Sequence, residues 1–246
     1  MNAPAMGAWL LSVPHAWLAV TVLVYAFAWK LYRRLGNNPW ALPVLTGSAV
    51  LVAAMLATGT AYADYYAQAR PLHYLAGAAI VLLAVPLYAQ VRRLRSLWRP
   101  VAVALLAGSV TAIASAMAIA WCFGADMQTL WSVAPKSSTM PIGMALAEQS
   151  GGIAALTALA TALTGIFGAI AMPWIMRLLE RAGARGDAPA GEREITEGFA
   201  LGLVAHAIGT ARALQTSETA GAFAALAMIL NGLATAALIL LLLPWF

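Results

Sequence analysis

The chain has 246 residues, of which 63% are hydrophobic and only 9% are charged, and its formal net charge is +5. Soluble globular domains carry about 25% charged residues. A chain this poor in charge cannot cover its own surface in water, so we expect an integral membrane protein. Its single cysteine, Cys122, excludes an intrachain disulfide and a thiolate metal cage. No basic residue precedes the first apolar run, so we expect no cleavable signal peptide.

Six apolar runs each have roughly the 20 residues that a spanning helix needs. They cover about residues 10–32, 40–59, 71–90, 100–123, 152–176 and 217–243. The composition and these runs predict an all-α, polytopic membrane protein. We expect one domain over residues 1–246, with N-terminal helices in 1–124 and two broken-helix units in 125–246.

Two segments, about 125–150 and 195–216, are interrupted. Each consists of a short apolar helix, a polar break and a second short helix. Each half has about ten residues and rises about 15 Å, which is half of the hydrocarbon core. Each polar break therefore lies near the membrane midplane, whether the segment crosses the membrane or re-enters.

The two interrupted segments resemble each other. In each, a half-helix follows the break, an acidic residue lies near its end (Glu148, Glu218), and a long helix rich in Gly and Ala follows. The start of the first long helix, residues 152–156, is echoed by residues 221–225. Repeats with interrupted helices in matching positions indicate a transporter's binding site.

Loop charge predicts the topology, because Lys and Arg are retained in cytoplasmic loops. Three clusters follow apolar runs: Lys30, Arg33 and Arg34; Arg92, Arg93, Arg95 and Arg99; and Arg177, Arg181, Arg185 and Arg193. With the first two clusters inside, the N-terminus is periplasmic. The third is also inside only if 125–150 re-enters, and the two units are then inverted. We favour six spanning helices plus two opposed hairpins in an inverted repeat, with eight crossings as the alternative.

Lys136 and Arg212 are the Lys and Arg residues inside the interrupted segments. A charge at the midplane is costly and usually marks a pathway. Two cations on related breaks predict an anionic substrate, and Arg can bind a carboxylate through two parallel hydrogen bonds. The half-helix N-termini, with Pro141 in the first turn of one, add free N–H groups. The alternative is that both cations pair with Glu148 and Glu218.

Further polar residues lie at or near the breaks. The hydroxyl groups of the breaks can cap the half-helices or contact a carboxylate, and they belong to Ser137, Ser138, Thr139 and Thr210. His206 is a candidate for proton coupling or a hydrogen-bonded histidine at a helix end. Asn231 is typical of a helix–helix hydrogen bond. No nucleophile elbow, H-E-x-x-H motif or Walker loop occurs, so we expect neither an enzyme nor a cofactor or metal.

Two long motifs, residues 135–158 (PKSSTMPIGMALAEQSGGIAALTA) and 206–228 (beginning HAIGTARAL), resemble the LrgB/CidB family. Its members are described as antiholin-like or holin-associated regulators of murein hydrolases or as pyruvate transporters, and a plant plastid glycolate/glycerate translocator fuses an LrgA-type to an LrgB-type half. By this resemblance the motif positions are Lys136, Ser137, Thr139, Pro141, His206, Gly209, Thr210, Arg212 and Glu218. Ala205 and Ala207 stand where Ser and Gly are common.

The resemblance and the charged breaks together imply a transporter of small 2-oxo or 2-hydroxy monocarboxylates such as pyruvate, glycolate or glycerate. The alternative is an antiholin-like regulator of murein hydrolase export and cell lysis. The LrgA-like half is absent, which implies a separate LrgA/CidA-like membrane partner. We expect a homo-oligomer in the bacterial inner membrane, with H⁺ or Na⁺ as candidate coupling ions and no nucleic acid, because the basic clusters follow apolar runs.

Overall fold

A computed structural model describes residues 3–82, 84–183 and 189–243, and the described residues form helices and loops without a strand. The all-α prediction is therefore confirmed. The chain divides into two compact units, Met1–Leu82 and Leu83–Phe246. Arg185, predicted in the third basic cluster, lies outside the described residues.

Among its described residues the first unit contains four α-helices, α1 (Ala3–Ser12), α2 (Ala16–Arg34), α3 (Pro43–Thr58) and α4 (Tyr62–Leu82), and a short 3-10 helix, Pro39–Ala41, between α2 and α3. The axes of α1 and α2 are bent by 108°. Pro14 lies in the break, and His15 is left-handed with φ 59°, so the helical hydrogen-bond ladder stops there. The predicted run 10–32 is therefore not one straight helix.

The second unit contains eight helices among its described residues. They are α5 (Ala84–Ala89), α6 (Val91–Ser96), α7 (Trp98–Cys122), α8 (Met127–Val133), α9 (Met140–Gln149), α10 (Ala154–Arg181), α11 (Ala190–Thr216) and α12 (Glu218–Leu242). Of the described helices, α7, α10 and α12 are long and apolar enough to cross a membrane. They match the predicted runs 100–123, 152–176 and 217–243, so these three predictions are confirmed.

The other predicted runs match the helices less closely. Run 40–59 corresponds to α3, which has only 16 residues. Run 71–90 has the wrong boundaries, because α4 already begins at Tyr62 and α5 is a separate short helix that begins at Ala84. The start of α4 is polar, with Asp64 in its first turn, and apolar run length does not detect such a turn. Six spanning helices remain a prediction.

Helices α8 and α9 fold back on each other. The N–H of Ile153, just after α9, donates to Ser132 Oγ in α8 at 2.7 Å, and Thr157 Oγ1 donates to the Ser132 carbonyl, also at 2.7 Å. Ser132 and Ile153 are 21 residues apart, which in a straight helix is about 30 Å. The predicted interruption of 125–150 is confirmed, and we call α8, α9 and their connection hairpin 1.

Helix α11 also folds back. His206 has φ 40° and ψ −125°, which interrupts the helix. Ser217 Oγ, just after α11, donates to Glu194 Oε2 near its start at 2.9 Å. These residues are 23 positions apart, about 35 Å in a straight helix. The predicted break in 195–216 is confirmed, although it is a kink at one residue and not a loop. We call α11 hairpin 2.

The two hairpins lie against opposite ends of α12. In hairpin 2, Gly198 lies against Ala220, near the start of α12. In hairpin 1, Trp131 and Ala134 pack with Ile239 near its end. Neither segment runs straight along α12, and the number of crossings, six with two hairpins or eight, stays a prediction.

Hairpin 2 packs on α12 backbone to backbone. A Cβ atom on Gly198 or Gly202 would collide with the backbone of Ala220 or Ala224, respectively. The residues of α12 from 220 to 228 are all buried. Small residues permit this close approach of helices, which provides van der Waals contact where the hydrophobic effect between helices is weak.

The second and third basic clusters lie at the same end of the second unit. A Cβ atom on Gly191, two residues before Arg193, would be 2.9 Å from Arg93 Nη2. Arg193 Nη1 also lies 4.0 Å from Glu180 Oε1 at the end of α10. If residues 125–150 re-enter, the loop charges predict that these two clusters lie on one side of the membrane, and their common position in the fold is consistent with that prediction.

Candidate functional site

The tip of hairpin 1 is the connection between α8 and α9, residues 134–139. Its chain turns at Pro135, whose carbonyl accepts hydrogen bonds from the Ser138 N–H at 2.9 Å and from Ser138 Oγ at 2.8 Å. Thr139 is the N-cap of α9, its side chain makes no capping hydrogen bond, and a proline lies in the first turn, as predicted for Pro141. The first N–H groups of α9 therefore have no side-chain cap.

The tip of hairpin 2 is the kink at His206. A positive φ is uncommon for a residue with a side chain, and such strain persists only where surrounding contacts hold it. Thr210 Oγ1 donates to the His206 carbonyl at 2.8 Å. A Cβ atom on Gly209 would collide with the Leu201 carbonyl, so the kink requires glycine there for close packing.

The two tips meet beside the middle of α12. His206 Nε2 lies 3.3 Å from the Lys136 carbonyl oxygen. Asn231 Nδ2 donates to the Ser137 carbonyl at 2.6 Å and to the Leu203 carbonyl at 3.1 Å. The helix–helix hydrogen bond predicted for Asn231 is thus present, and it joins α12 to both hairpins.

A cavity of about 440 Å³ opens beside these tips. Its walls come from both hairpins, α7 and α10: Ala107, Gly108, Thr111, Ala112, Lys136, Ser137, Thr164, Leu203 and Val204. Ser137 is 2% exposed, and its hydroxyl oxygen has no hydrogen-bond partner. The Lys136 side chain is partly buried.

The Lys136 ammonium group has no carboxylate beside it within the described part of the chain. Glu148 and Glu218 are both exposed, the first near the end of α9 and the second at the start of α12. The alternative in which Lys136 pairs with one of these glutamates is therefore not supported.

The other predicted site residues have different surroundings. Arg212, on the second half of hairpin 2, is half-buried and does not line the cavity. The hydroxyl groups of Ser138 and Thr210 are bonded to carbonyls of their own hairpins. Thr139 is half-buried at the N-cap of α9. Of the two predicted cations, the structure thus places Lys136 at the cavity.

Sequence reasoning missed three residues at the site. Ser109 in α7 donates to Asn231 Oδ1 at 2.7 Å, and Thr164 and Leu203 line the cavity. Ser109 and Thr164 are single hydroxyl residues in long apolar helices, which is a weak signal because such hydroxyls commonly bond to their own helix. Nothing in the local sequence distinguishes Leu203 from other leucines.

The site has positive electrostatic character. Lys136 contributes a full positive charge to the cavity wall. The start of α9, whose N–H groups carry part of the positive end of the helix dipole, follows directly after the tip at Met140, although none of the described residues of α9 lines the cavity. None of the described acidic side chains lines the cavity. Such an arrangement favours an anion and disfavours a cation.

Comparison with known proteins identifies the family of the chain. A profile described as the LrgB-like family matches residues 21–245. An uncharacterized protein of Haemophilus influenzae is 30% identical over 217 residues, which cover 88% of this chain and 85% of that protein. Protein YxaC of Bacillus subtilis, also uncharacterized, is 31% identical over 213 residues, 87% of this chain and 88% of YxaC.

A relative with a functional name is the holin-like protein CidB of Staphylococcus aureus. It is 26% identical over 222 residues, which cover 90% of this chain and 92% of CidB. No solved structure matches significantly. The family match spans most of the chain and includes both hairpins, so this protein is a multi-pass membrane protein that belongs to the LrgB-like family.

Proposed function

We propose that this protein is a carrier, not an enzyme, that moves small 2-oxo or 2-hydroxy monocarboxylates such as pyruvate, glycolate or glycerate across the bacterial inner membrane. The observation that carries the proposal is the Lys136 ammonium group, which lines the cavity where the hairpin tips meet and has no carboxylate beside it among the described residues. The basic clusters face the cytoplasm, and the N-terminus is periplasmic.

The charge of the site supports a monoanion. A lysine within the membrane costs several kcal/mol unless water or a partner stabilises its charge, and a bound carboxylate would supply that partner. One cation neutralises one carboxylate, whereas a dicarboxylate would retain a buried negative charge. Ser137 and Thr164 line the cavity, and a hydroxyl group is the type of donor that suits the oxo or hydroxy group beside the carboxylate.

The arrangement of the hairpins supports transport. Two hairpins that enter from opposite ends and meet at one site allow each end to open in turn, as in carriers with interrupted helices. His206 contacts the Lys136 backbone at this meeting point. His206 is therefore the candidate for coupling to H⁺, and Na⁺ remains the other candidate ion.

The second candidate function is an antiholin-like regulator of murein hydrolase export and cell lysis. The name of the holin-like relatives favours it. In that case the chain acts through contacts with copies of itself and with an LrgA/CidA-like membrane protein. Such a regulator does not require the charge of Lys136, and this separates the two functions experimentally.

The test is uptake of labelled pyruvate and glycolate into proteoliposomes that contain the purified full-length chain. We compare the wild type with Lys136→Gln and with Lys30→Gln, which neutralises the other lysine of the chain, an exposed residue of α2. Saturable uptake is expected for the wild type and Lys30→Gln, with a loss of at least roughly tenfold in Lys136→Gln. Arg212→Gln is expected to lose less, because Arg212 does not line the cavity.

Wild-type uptake that Lys136→Gln leaves unchanged would reject the site. If the wild type shows no uptake, the measurement is repeated with an LrgA-like protein in the same vesicles. Continued absence of uptake, together with a lysis phenotype in cells that Lys136→Gln does not alter, would favour the regulator.

A further inference from the structure

Asn231 lies in the middle of α12, the most apolar of the three long helices, and is fully buried. A primary amide is costly to bury in such surroundings unless its hydrogen bonds are made. Here Nδ2 donates two hydrogen bonds and Oδ1 accepts one. Both the NH₂ group and the oxygen of the buried amide are therefore hydrogen-bonded.

The network fixes the orientation of the amide group. The two carbonyl oxygens beside Nδ2 can only accept hydrogen bonds, so they must face the NH₂ group. The Ser109 hydroxyl then donates to Oδ1 at 2.7 Å. Rotation of the amide by 180° would place its oxygen against two carbonyl oxygens and break both donor bonds.

The two carbonyl groups belong to different hairpins. The Ser137 carbonyl is at the tip of hairpin 1, beside Lys136. The Leu203 carbonyl lies in the last turn before the kink at His206, where a helix end leaves carbonyls without helical partners. Ser137 and Leu203 both line the cavity, so one amide group sets the separation of two of its walls.

We infer that Asn231 is the positioning residue that locks the two hairpin tips together in the arrangement that binds the anion. This inference rests on the proposed function. The lock has one bond to each hairpin, so either hairpin can move only after Nδ2 releases its carbonyl. The anion contacts Lys136 and Ser137, and its affinity depends on Asn231 only through the position of the tips.

The variants separate the amide from the volume that it fills. Asn231→Leu has a similar size and removes both donors, which leaves two buried carbonyls without partners. Asn231→Gln keeps both donors on a side chain that is one methylene longer. The matched control is Thr235→Val, one turn further along α12, where a fully buried hydroxyl has no hydrogen-bond partner.

The experiment uses the full-length chain in lipid nanodiscs and has two readouts. The first is the Kd for labelled pyruvate. The second is hydrogen exchange of peptides that cover the two tips, residues 132–143 and 199–210. We expect Asn231→Leu to raise Kd at least about tenfold and to speed exchange in both tips together, Asn231→Gln to recover part of each effect, and Thr235→Val to change neither.

Two results would overturn the inference. In the first, Asn231→Leu speeds hydrogen exchange in only one tip or in neither. In the second, exchange becomes faster in both tips while the Kd is unchanged. If Asn231→Leu does not yield folded protein, Ser109→Ala takes its place, because it removes the hydrogen bond to Oδ1 and keeps both donors of Nδ2. It should produce smaller changes of the same sign. If the wild type binds no pyruvate or glycolate, either alone or with an LrgA-like protein, the proposed function fails, whereas the exchange readout still decides whether Asn231 locks the tips.

Discussion

Hairpins 1 and 2 reach the same point on α12 from opposite ends, but their tips are built differently. In hairpin 1 a connection of six residues, 134–139, separates the two helices, and a lysine and a serine of this connection line the cavity. Hairpin 2 is bent at His206 alone and contributes Leu203 and Val204. A similar topology therefore supports unequal roles, in which hairpin 1 supplies the polar groups for the ligand and hairpin 2 supplies an apolar wall.

The two hairpins also differ in how they pack against their neighbouring helices. Hairpin 2 lies on α12 through glycines whose Cβ atoms would meet backbone. Hairpin 1 is attached to the start of α10 by hydroxyl groups, with Ser132 bonded to Ile153 and Thr157. A Cβ atom on Gly152 would lie 2.9 Å from the Ser132 backbone nitrogen, which is a looser backbone contact than those of Gly198 and Gly202. Backbone contact tolerates almost no added volume, whereas a hydroxyl bond can be exchanged. We therefore expect substitutions at the packing face of hairpin 2 to affect folding and substitutions at the tip of hairpin 1 to affect binding.

The largest expected effect is on the packing of hairpin 2. Gly202→Ala places a Cβ atom in the backbone of Ala224, and we expect a loss of roughly 2–4 kcal/mol in the free energy of unfolding, because neither backbone can move aside. The measurement is unfolding of the purified protein in detergent.

The control for Gly202→Ala is Gly47→Ala, also within a helix, where the added Cβ would meet only the Ala28 side chain at 3.8 Å. It should be neutral or stabilising by about 0.5–1 kcal/mol, since alanine favours the helix. Equal stability of the two variants would show that α11 and α12 are less closely packed than this contact requires.

The next effect concerns the tip of hairpin 1 and separates two adjacent serines. The Ser137 hydroxyl has no partner, whereas the Ser138 hydroxyl donates to the Pro135 carbonyl. Ser137→Ala should weaken pyruvate binding by roughly fivefold with no loss of stability. Ser138→Ala should cost about 1 kcal/mol of stability, the typical net contribution of one hydrogen bond. Binding and thermal unfolding of both variants are the measurements, and the reverse assignment would exclude Ser137 as a ligand contact.

The difference between the hairpins was only partly predictable from sequence. The polar residues of the segment PKSST and the proline at position 141, which suits the first turn of a helix, predicted the break in hairpin 1 and the position of Lys136 at that break. The break in hairpin 2 was also predicted, but a kink at one residue carries no local signature because histidine has no preference for positive φ as strong as that of glycine. The hydrogen bonds of Asn231 to Ser137 and Leu203 depend on tertiary contact and could not be derived from spacing.

The last expected effect, similar in size to that of Ser138→Ala, is at the base of hairpin 2, where Ser217 has two roles. Its Oγ accepts from the Ala220 N–H as the N-cap of α12 and donates to Glu194 Oε2, which ties the two ends of the hairpin together. Ser217→Ala should lower the free energy of unfolding by about 1 kcal/mol, the usual cost of losing an N-cap.

Ser217→Asp and Ser217→Asn distinguish the cap from the tie to Glu194. Both keep an oxygen that can cap α12, but aspartate places a second carboxylate beside Glu194, whereas asparagine offers it an N–H donor. We expect asparagine to be close to the wild type in thermal unfolding and aspartate to be less stable near neutral pH. Equal stability of the two variants at neutral pH would mean that only the N-cap of α12 contributes to stability. The hydrogen bond to Glu194 at the base of hairpin 2 would then be dispensable, unlike the packing of this hairpin on α12.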